Sequence, residues 1–111
     1  MSAADIAQGQ LDAYNRQDLD AHCAFYADDV VVADLNGAEN VRGIAAYRAR
    51  YEKMFTDFPE NRADLVGRII VGDTVIDHER VARAPTGDTF DVAAIYTIRD
   101  DKIARVDFVR G

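Results

Sequence analysis

Beyond Pro59 the apolar pattern changes period, and that change restricts the fold more than any other feature of the chain. Arg62–Val71, Thr74–Ala84, Asp88–Arg99 and Lys102–Arg110 alternate or run apolar with the two-residue repeat of β-strands. The connections between them are only Gly72-Asp73, Pro85-Thr86-Gly87 and Asp100-Asp101. Links this short force consecutive strands to lie antiparallel, because a parallel crossover needs a dozen or more residues. Before Pro59 the spacing is mostly helical, which predicts helices near residues 3–16, 19–27 and 44–56. Ser2 followed by Asp5 marks a capped start for the first helix, and Asp18 marks one for the second. Gly9 gives the first helix a place where another side chain can pack closely. Between the second and third helices, Val30–Leu35 reads as a strand and Asn36–Gly43 as a loop. Arg48 and Glu52 fall four apart on the solvent side of the third helix. The expectation is an α+β fold in one domain, 1–111, with three helices packed on one face of a strongly curved antiparallel sheet.

Charge and cysteine content narrow the partners. Thirteen basic against twenty acidic residues leave a net charge of −7, which argues against a nucleic-acid partner and against docking on an anionic membrane. No apolar run approaches the ~18–20 residues that span a bilayer, and MSAADIAQGQ lacks the pattern of a secretory signal. Cys23 is the single cysteine, a small apolar filler that fits a reducing, cytoplasmic setting. His22, His78 and Cys23 form no spacing that suits a metal, and no cofactor motif is visible.

The stretch DLDAHCAFYADDVVVADLNG, Asp18 to Gly37, carries the most suggestive carboxylate. Asp34 closes a strand that otherwise looks buried. A carboxylate there is costly unless it is hydrogen-bonded, paired or used. On the residues alone the commoner case is a solvated turn residue beside Asn36-Gly37.

The order of helix, D-L-D, F-Y-A-D-D, strand and D-L-N-G resembles the ketosteroid isomerase and SnoaL-like branch of the NTF2-like superfamily. The likeness continues through R-G-I-A-A-Y-R-A-R-Y and the closing strands. It implies a cone between helices and sheet that holds a small ligand. By this resemblance Asp34 is a proton-shuttling base, while Tyr51 and Tyr26 match tyrosines of the family's hydrogen-bond network. The two oxyanion donors of the isomerases align here with Gln10 and Tyr96. Tyr14, one turn beyond Gln10, and the Tyr96 hydroxyl are the available replacements. Val32, Phe55, Val106 and Phe108 would supply apolar wall.

Within Thr74–Ala84, period two places Asp77 and Glu79 on one face and Ile76, His78 and Arg80 on the other. An ungapped match turns the two carboxylates inward, whereas a one-residue slip in the Pro85–Gly87 hairpin turns His78 inward. V-I-D-H-E resembles a recurring SnoaL-like strand, and His78 is the residue expected inside. The resulting expectation is a small cofactor-independent enzyme. It abstracts a proton next to the carbonyl of an apolar molecule, using Asp34 with Tyr14, Tyr51, Tyr96 and His78. Two alternatives stay open. One is epoxide hydrolysis with Asp77 and Arg68 or Arg80. The other is a non-catalytic binding or dimerising module, to which an exposed Asp34 would point. Ile69, Val71, Ala93, Ile95 and Val109 alternate on the face the helices leave bare, which predicts a homodimer.

Overall fold

The computed structural model describes residues 1–111. Three helices, α1 (Ala3–Asn15), α2 (Leu19–Cys23) and α3 (Ile44–Asp57), pack on a six-stranded sheet. Its strands are β1 (Tyr26–Asp34), β2 (Glu39–Arg42), β3 (Arg62–Val71), β4 (Thr74–Ala82), β5 (Thr89–Arg99) and β6 (Lys102–Arg110). In space they run β2-β1-β6-β5-β4-β3, so the sheet is open, with β2 and β3 at its edges. The four strands after Pro59 are antiparallel neighbours, as their short links require.

Local sequence sets the helix starts. The Ser2 hydroxyl accepts from the Asp5 amide at 3.1 Å while the Asp5 carboxylate accepts from the Ser2 amide at 3.2 Å, a reciprocal cap. Asp18 accepts from the Ala21 amide at 3.1 Å. At Gly9 the Phe25 ring lies so close that a Cβ would sit 2.5 Å from its Cζ. That contact is the close approach the glycine permits.

Three features differ from the sequence reading, two from long-range pairing with β6 and one from a local hairpin. The second helix stops at Cys23, and Tyr26 already belongs to β1. The Phe25 carbonyl accepts from the Ile103 amide at 2.8 Å, and Lys102 Nζ donates to the Ala24 carbonyl, so β6 draws that backbone out of the helix. Second, β1 and β6 pair in parallel, which makes the sheet mixed. Third, part of the expected loop is β2, whose Val41 and Arg42 stand opposite Val32 and Val31. The turn between β1 and β2 relies on Asn36, at φ 57°, a conformation that asparagine tolerates. On α3, Arg48 pairs with Asp20 of α2.

The core between helices and sheet is unusually aromatic. Tyr47 stacks on Tyr26 and Tyr51 with ring centroids 4.3 and 4.4 Å apart. Val30, Val32, Ile103 and Val106 fill the floor beneath them. Cys23 lies in the same core as an unpaired filler.

One charged pair is buried with this core. Asp77 is fully buried, and Arg68 of β3 grips it with Nε donating to Oδ1 at 2.7 Å and Nη2 to Oδ2 at 2.9 Å. Gln8 Oε1 accepts from Nη1 of the same guanidinium at 3.0 Å, tying α1 to the sheet edge. A bidentate buried pair is costly to break from one side, because the remaining charge stays desolvated. Arg68→Met is therefore expected to lower unfolding free energy by about 3–5 kcal/mol in urea titration. Arg68→Met with Asp77→Leu should recover most of that loss, and a single variant as stable as the parent would contradict the account.

Candidate active site

The cone holds a cavity of about 90 Å³ between α1, α3 and the inner face of β4–β6. Its depth is lined by Gln10, His22, Tyr26, Tyr51, Glu79 and Tyr96. Nearer the opening stand Tyr14, Met54, Arg83, Phe90, Phe108 and two further arginines, Arg50 and Arg110.

Glu79 is the chemical centre. It is 6% exposed, and its one side-chain hydrogen bond comes from the Tyr96 hydroxyl at 3.4 Å, long for an O–H···O bond. Burial pushes its pKa from the ordinary 4.5 up to about 7, the neighbouring Asp77 adding to the rise and Tyr96 and Arg68 opposing it. Burial dominates because Arg68 spends both outer nitrogens on Asp77 and Gln8, leaving Glu79 no direct cation.

A hydrogen-bond chain runs to that carboxylate. The Tyr26 hydroxyl donates to Gln10 Oε1 at 2.7 Å, and Gln10 Nε2 donates to the Tyr96 hydroxyl at 3.1 Å. Tyr96 then donates to Glu79. Every proton points towards the glutamate, so the chain holds Tyr96 as a donor. Behind it, His22 Nδ1 lies 2.9 Å from the Gln10 carbonyl, which can only accept. Nδ1 therefore carries the proton, and Nε2 accepts from the Tyr47 hydroxyl at 2.7 Å. Burial lowers the His22 pKa to about 4, so the ring is neutral near pH 7.

Tyr14 and Tyr51 also reach the cavity. Burial raises the pKa of both, Tyr51 to about 12, so at neutral pH they are donors. Tyr14 Oη donates to Met54 Sδ at 3.3 Å, a weak acceptor that a carbonyl oxygen would readily displace, and accepts from Asn61 Nδ2.

Of the residues singled out from sequence, Tyr14, Tyr26, Tyr51, Tyr96 and Phe108 converge on this cavity. Val32, Phe55 and Val106 do not line it, being packed in the core behind it. Asp34 must be corrected. Its side chain is 48% exposed, with Asn40 Nδ2 at 3.2 Å and Arg110 Nη1 at 2.8 Å from Oδ1. Those hydrogen bonds, Asn40's first, lower its pKa, the reverse of a desolvated base. His78 must be corrected too. The hairpin does not slip, so β4 keeps Asp77 and Glu79 inward opposite Ala94 and Val92. His78 is on the outer face, with Nε2 2.8 Å from Asp91 Oδ2. Glu79 is the residue that sequence reasoning passed over, although the ungapped match had placed it inward. Arg83, near the end of the expected strand Thr74–Ala84, and Asn61, just before Arg62–Val71, carried no local signal. No group of three or more His, Cys, Asp or Glu side chains is arranged to hold a metal ion.

Three helices covering one face of a curved, open six-stranded sheet, with a cavity between them, define the class of NTF2-like cone proteins. Residues 7–106 match the model of the SnoaL-like domain family, and the chain belongs to that family. An uncharacterized cystatin fold protein from Novosphingobium aromaticivorans is 32% identical, with a TM-score of 0.92 and 99% of each chain covered. A protein provisionally named polyketide cyclase from Sinorhizobium meliloti is 24% identical, with a TM-score of 0.81 over 98% of this chain and 100% of that one. One provisionally named ketosteroid isomerase from Kribbella flavida is 14% identical, with a TM-score of 0.83 over 98% of this chain and 77% of its own. These last two likenesses are likenesses of fold. No curated protein sequence matches the chain.

The Glu79 environment fixes a pH dependence. Its folded pKa, about 7, lies above the ordinary 4.5, so protonation favours the folded state. That contribution is complete below pH 4.5 and is lost as pH rises to about 7. At ~1.4 kcal/mol for each tenfold change in proton affinity, the loss is about 3 kcal/mol. Glu79→Gln should match the parent's stability near pH 4 and exceed it by roughly that amount at pH 8. Urea unfolding across this range checks it, and a constant difference would contradict the buried-carboxylate account.

Proposed function

We propose that the chain is a small enzyme that moves a proton at a carbon next to a carbonyl, with Glu79 as the base. The observation that carries this reading is an under-solvated carboxylate in the cavity whose pKa of about 7 matches neutral conditions. A base works best when its pKa lies near the operating pH. Glu79 takes the proton from carbon, and Tyr14 or Tyr51 donates to the carbonyl oxygen as negative charge develops there. Tyr96 is a positioning residue, since its proton points at Glu79.

The cavity constrains the substrate. At about 90 Å³ it is smaller than the ~150 Å³ cavities that take up benzene, so a slender chain or the edge of one ring enters and the remainder stays at the mouth. A fused-ring molecule does not fit inside. Solvent-facing Asp34 taken alone would favour a binding module, whereas Glu79 supports catalysis from a different strand. Epoxide opening by Asp77 gains no support, since both its oxygens are held by Arg68.

The test is α-proton exchange of butan-2-one in D₂O followed by proton NMR. Exchange should exceed the buffer rate and rise with an apparent pKa of about 7. Glu79→Gln should reduce it by about 10²- to 10⁴-fold. Asp34→Asn should leave it unchanged. Exchange that is indifferent to Glu79 would end the enzymatic reading.

We also propose that two copies associate through the outer face of the sheet. Ile69 and Val71 of edge strand β3 are 61% and 71% exposed, and Val109 on β6 is 42% exposed. The first two face outwards with Ile76, as the β3–β4 register dictates. Contiguous apolar surface of this kind commonly meets a partner, and two-fold pairing is the commonest closed solution. Light scattering at micromolar concentration should give twice the 12.3 kDa chain mass, and Ile69→Lys should halve it. A parent protein of monomer mass would refute the pairing.

A further inference from the structure

We infer that the substrate carries a carboxylate remote from its reacting carbon, and that Arg83 is the residue that seats it. This rests on the proposed reaction at Glu79 for its second end, but Arg83 itself is read independently.

Arg83 follows the last residue of β4 and lines the cavity, half-buried. Its guanidinium carbon lies 5.1 Å from the centre of the Phe90 ring and 5.4 Å from that of Phe58. Two aromatic rings on one guanidinium fix its position while leaving its charge unneutralised. No carboxylate lies within salt-bridge distance of it, although acidic groups outnumber basic ones by seven over the chain and most other arginines have one. Its hydrogen bonds both leave from Nη1 and go to neutral atoms, Asn61 Oδ1 at 2.7 Å and Met54 Sδ at 3.5 Å. A guanidinium has five donors in a planar fork suited to a carboxylate, so most of this fork is left for a ligand.

The other cations at the mouth differ. Arg110 is committed to Asp34 at 2.8 Å, and Arg50 is exposed, where water screens it. Arg50 still adds positive potential around an opening in an otherwise acidic protein, and such a field draws anions in.

Spacing separates this site from the chemistry. Glu79 lies within β4 and Arg83 one residue past its end, four residues on, so their Cα atoms stand at most about 13 Å apart, and both line the cavity. An enolate oxygen lies only one bond away from the carbonyl carbon whose neighbour loses the proton. Arg83 makes no hydrogen bond to Glu79: its guanidinium is held at Asn61 and Met54, beside the Tyr14 hydroxyl that bonds the same two side chains. It instead meets the far end of a slender substrate, an oxo-carboxylate, whose carbonyl rests near Tyr14 and Tyr51.

The test compares binding of 4-oxopentanoate with that of its methyl ester by NMR titration of the parent protein. The acid should bind at least tenfold more tightly in dilute buffer, and salt should weaken the acid alone. Arg83→Gln should make the two ligands equal, while Arg83→Lys, which keeps the charge if Gln disturbs the fold, should retain part of the preference. Glu79→Gln should leave the preference intact. Equal affinity in the parent, binding of neither ligand at millimolar concentration, or a preference that survives Arg83→Gln overturns the inference. A preference that depends on Arg83, combined with proton exchange indifferent to Glu79, upholds the carboxylate site and defeats only the proposed reaction.

Discussion

Two carboxylates two residues apart on β4 must face the same way, and here they face a helix-covered interior. That demand governs much of the structure around them. An isolated buried carboxylate is too costly to keep ionised, and two as neighbours are costlier. The fold supplies one cation, Arg68, and gives it to Asp77 in a two-pronged geometry that leaves little for Glu79. The asymmetry sets the roles. Asp77 becomes part of the framework that ties β3, β4 and α1 together. Glu79 is left with one long hydrogen bond and an open side towards the cavity. A second arginine at Glu79 would stabilise the ionised form and remove its fitness as a base at neutral pH.

The same economy extends to His22. Burial raises the proton affinity of Glu79 and lowers that of His22, to pKa values of about 7 and about 4. Between pH 4.5 and 6.5 the unfolded chain carries a proton on the histidine and none on the glutamate, while the folded chain does the reverse. These two groups then bind equal numbers of protons in both states, so their pH slopes cancel in that window. The cavity thereby has a neutral imidazole at its back and a protonatable acid at its side. Gln10 links them, with its carbonyl facing His22 and its amide facing Tyr96. The Gln10 side chain orients Tyr96 by donating to its hydroxyl.

What the sequence could reveal follows from the range of the forces involved. The strands after Pro59 were readable because their links are so short that only one pairing closes. The caps at Ser2 and Asp18 were readable because they act within three residues. The early end of α2, strand β2 and the parallel β1–β6 pair were not readable, since each depends on backbone groups some 70 residues away or on a turn that only the assembled sheet stabilises. For the site, the family resemblance pointed to most of the aromatic lining, Tyr14 and Tyr51 reaching the cavity from helices and Tyr26, Tyr96 and Phe108 from strands. Strand facing was harder, because a single-residue slip exchanges His78 for Glu79, and no local rule fixes the hairpin from Pro85 to Gly87. The pairing of Val81 with Phe90 and Ala82 with Thr89 fixes it in three dimensions.

Asp34 shows why residue type and position together still leave a role undetermined. It stands at the end of a mostly buried strand, as the resemblance implies, but Arg110 reaches it from the neighbouring β6 with its guanidinium carbon 5.3 Å from the centre of the Phe108 ring. With Asn40 on the other side, the carboxylate is stabilised in its ionised form and turned from the cavity. The pair also shapes the entrance, since it removes one cation and one anion from the balance there. Arg83 and Arg50 then remain as positive charge without a carboxylate close by, over a single deep glutamate. The cavity is therefore polarised along its length, positive at the opening and basic at depth, with tyrosine hydroxyls between. Such a gradient would orient the substrate proposed above, anionic at one end and enolisable at the other, before any reaction begins.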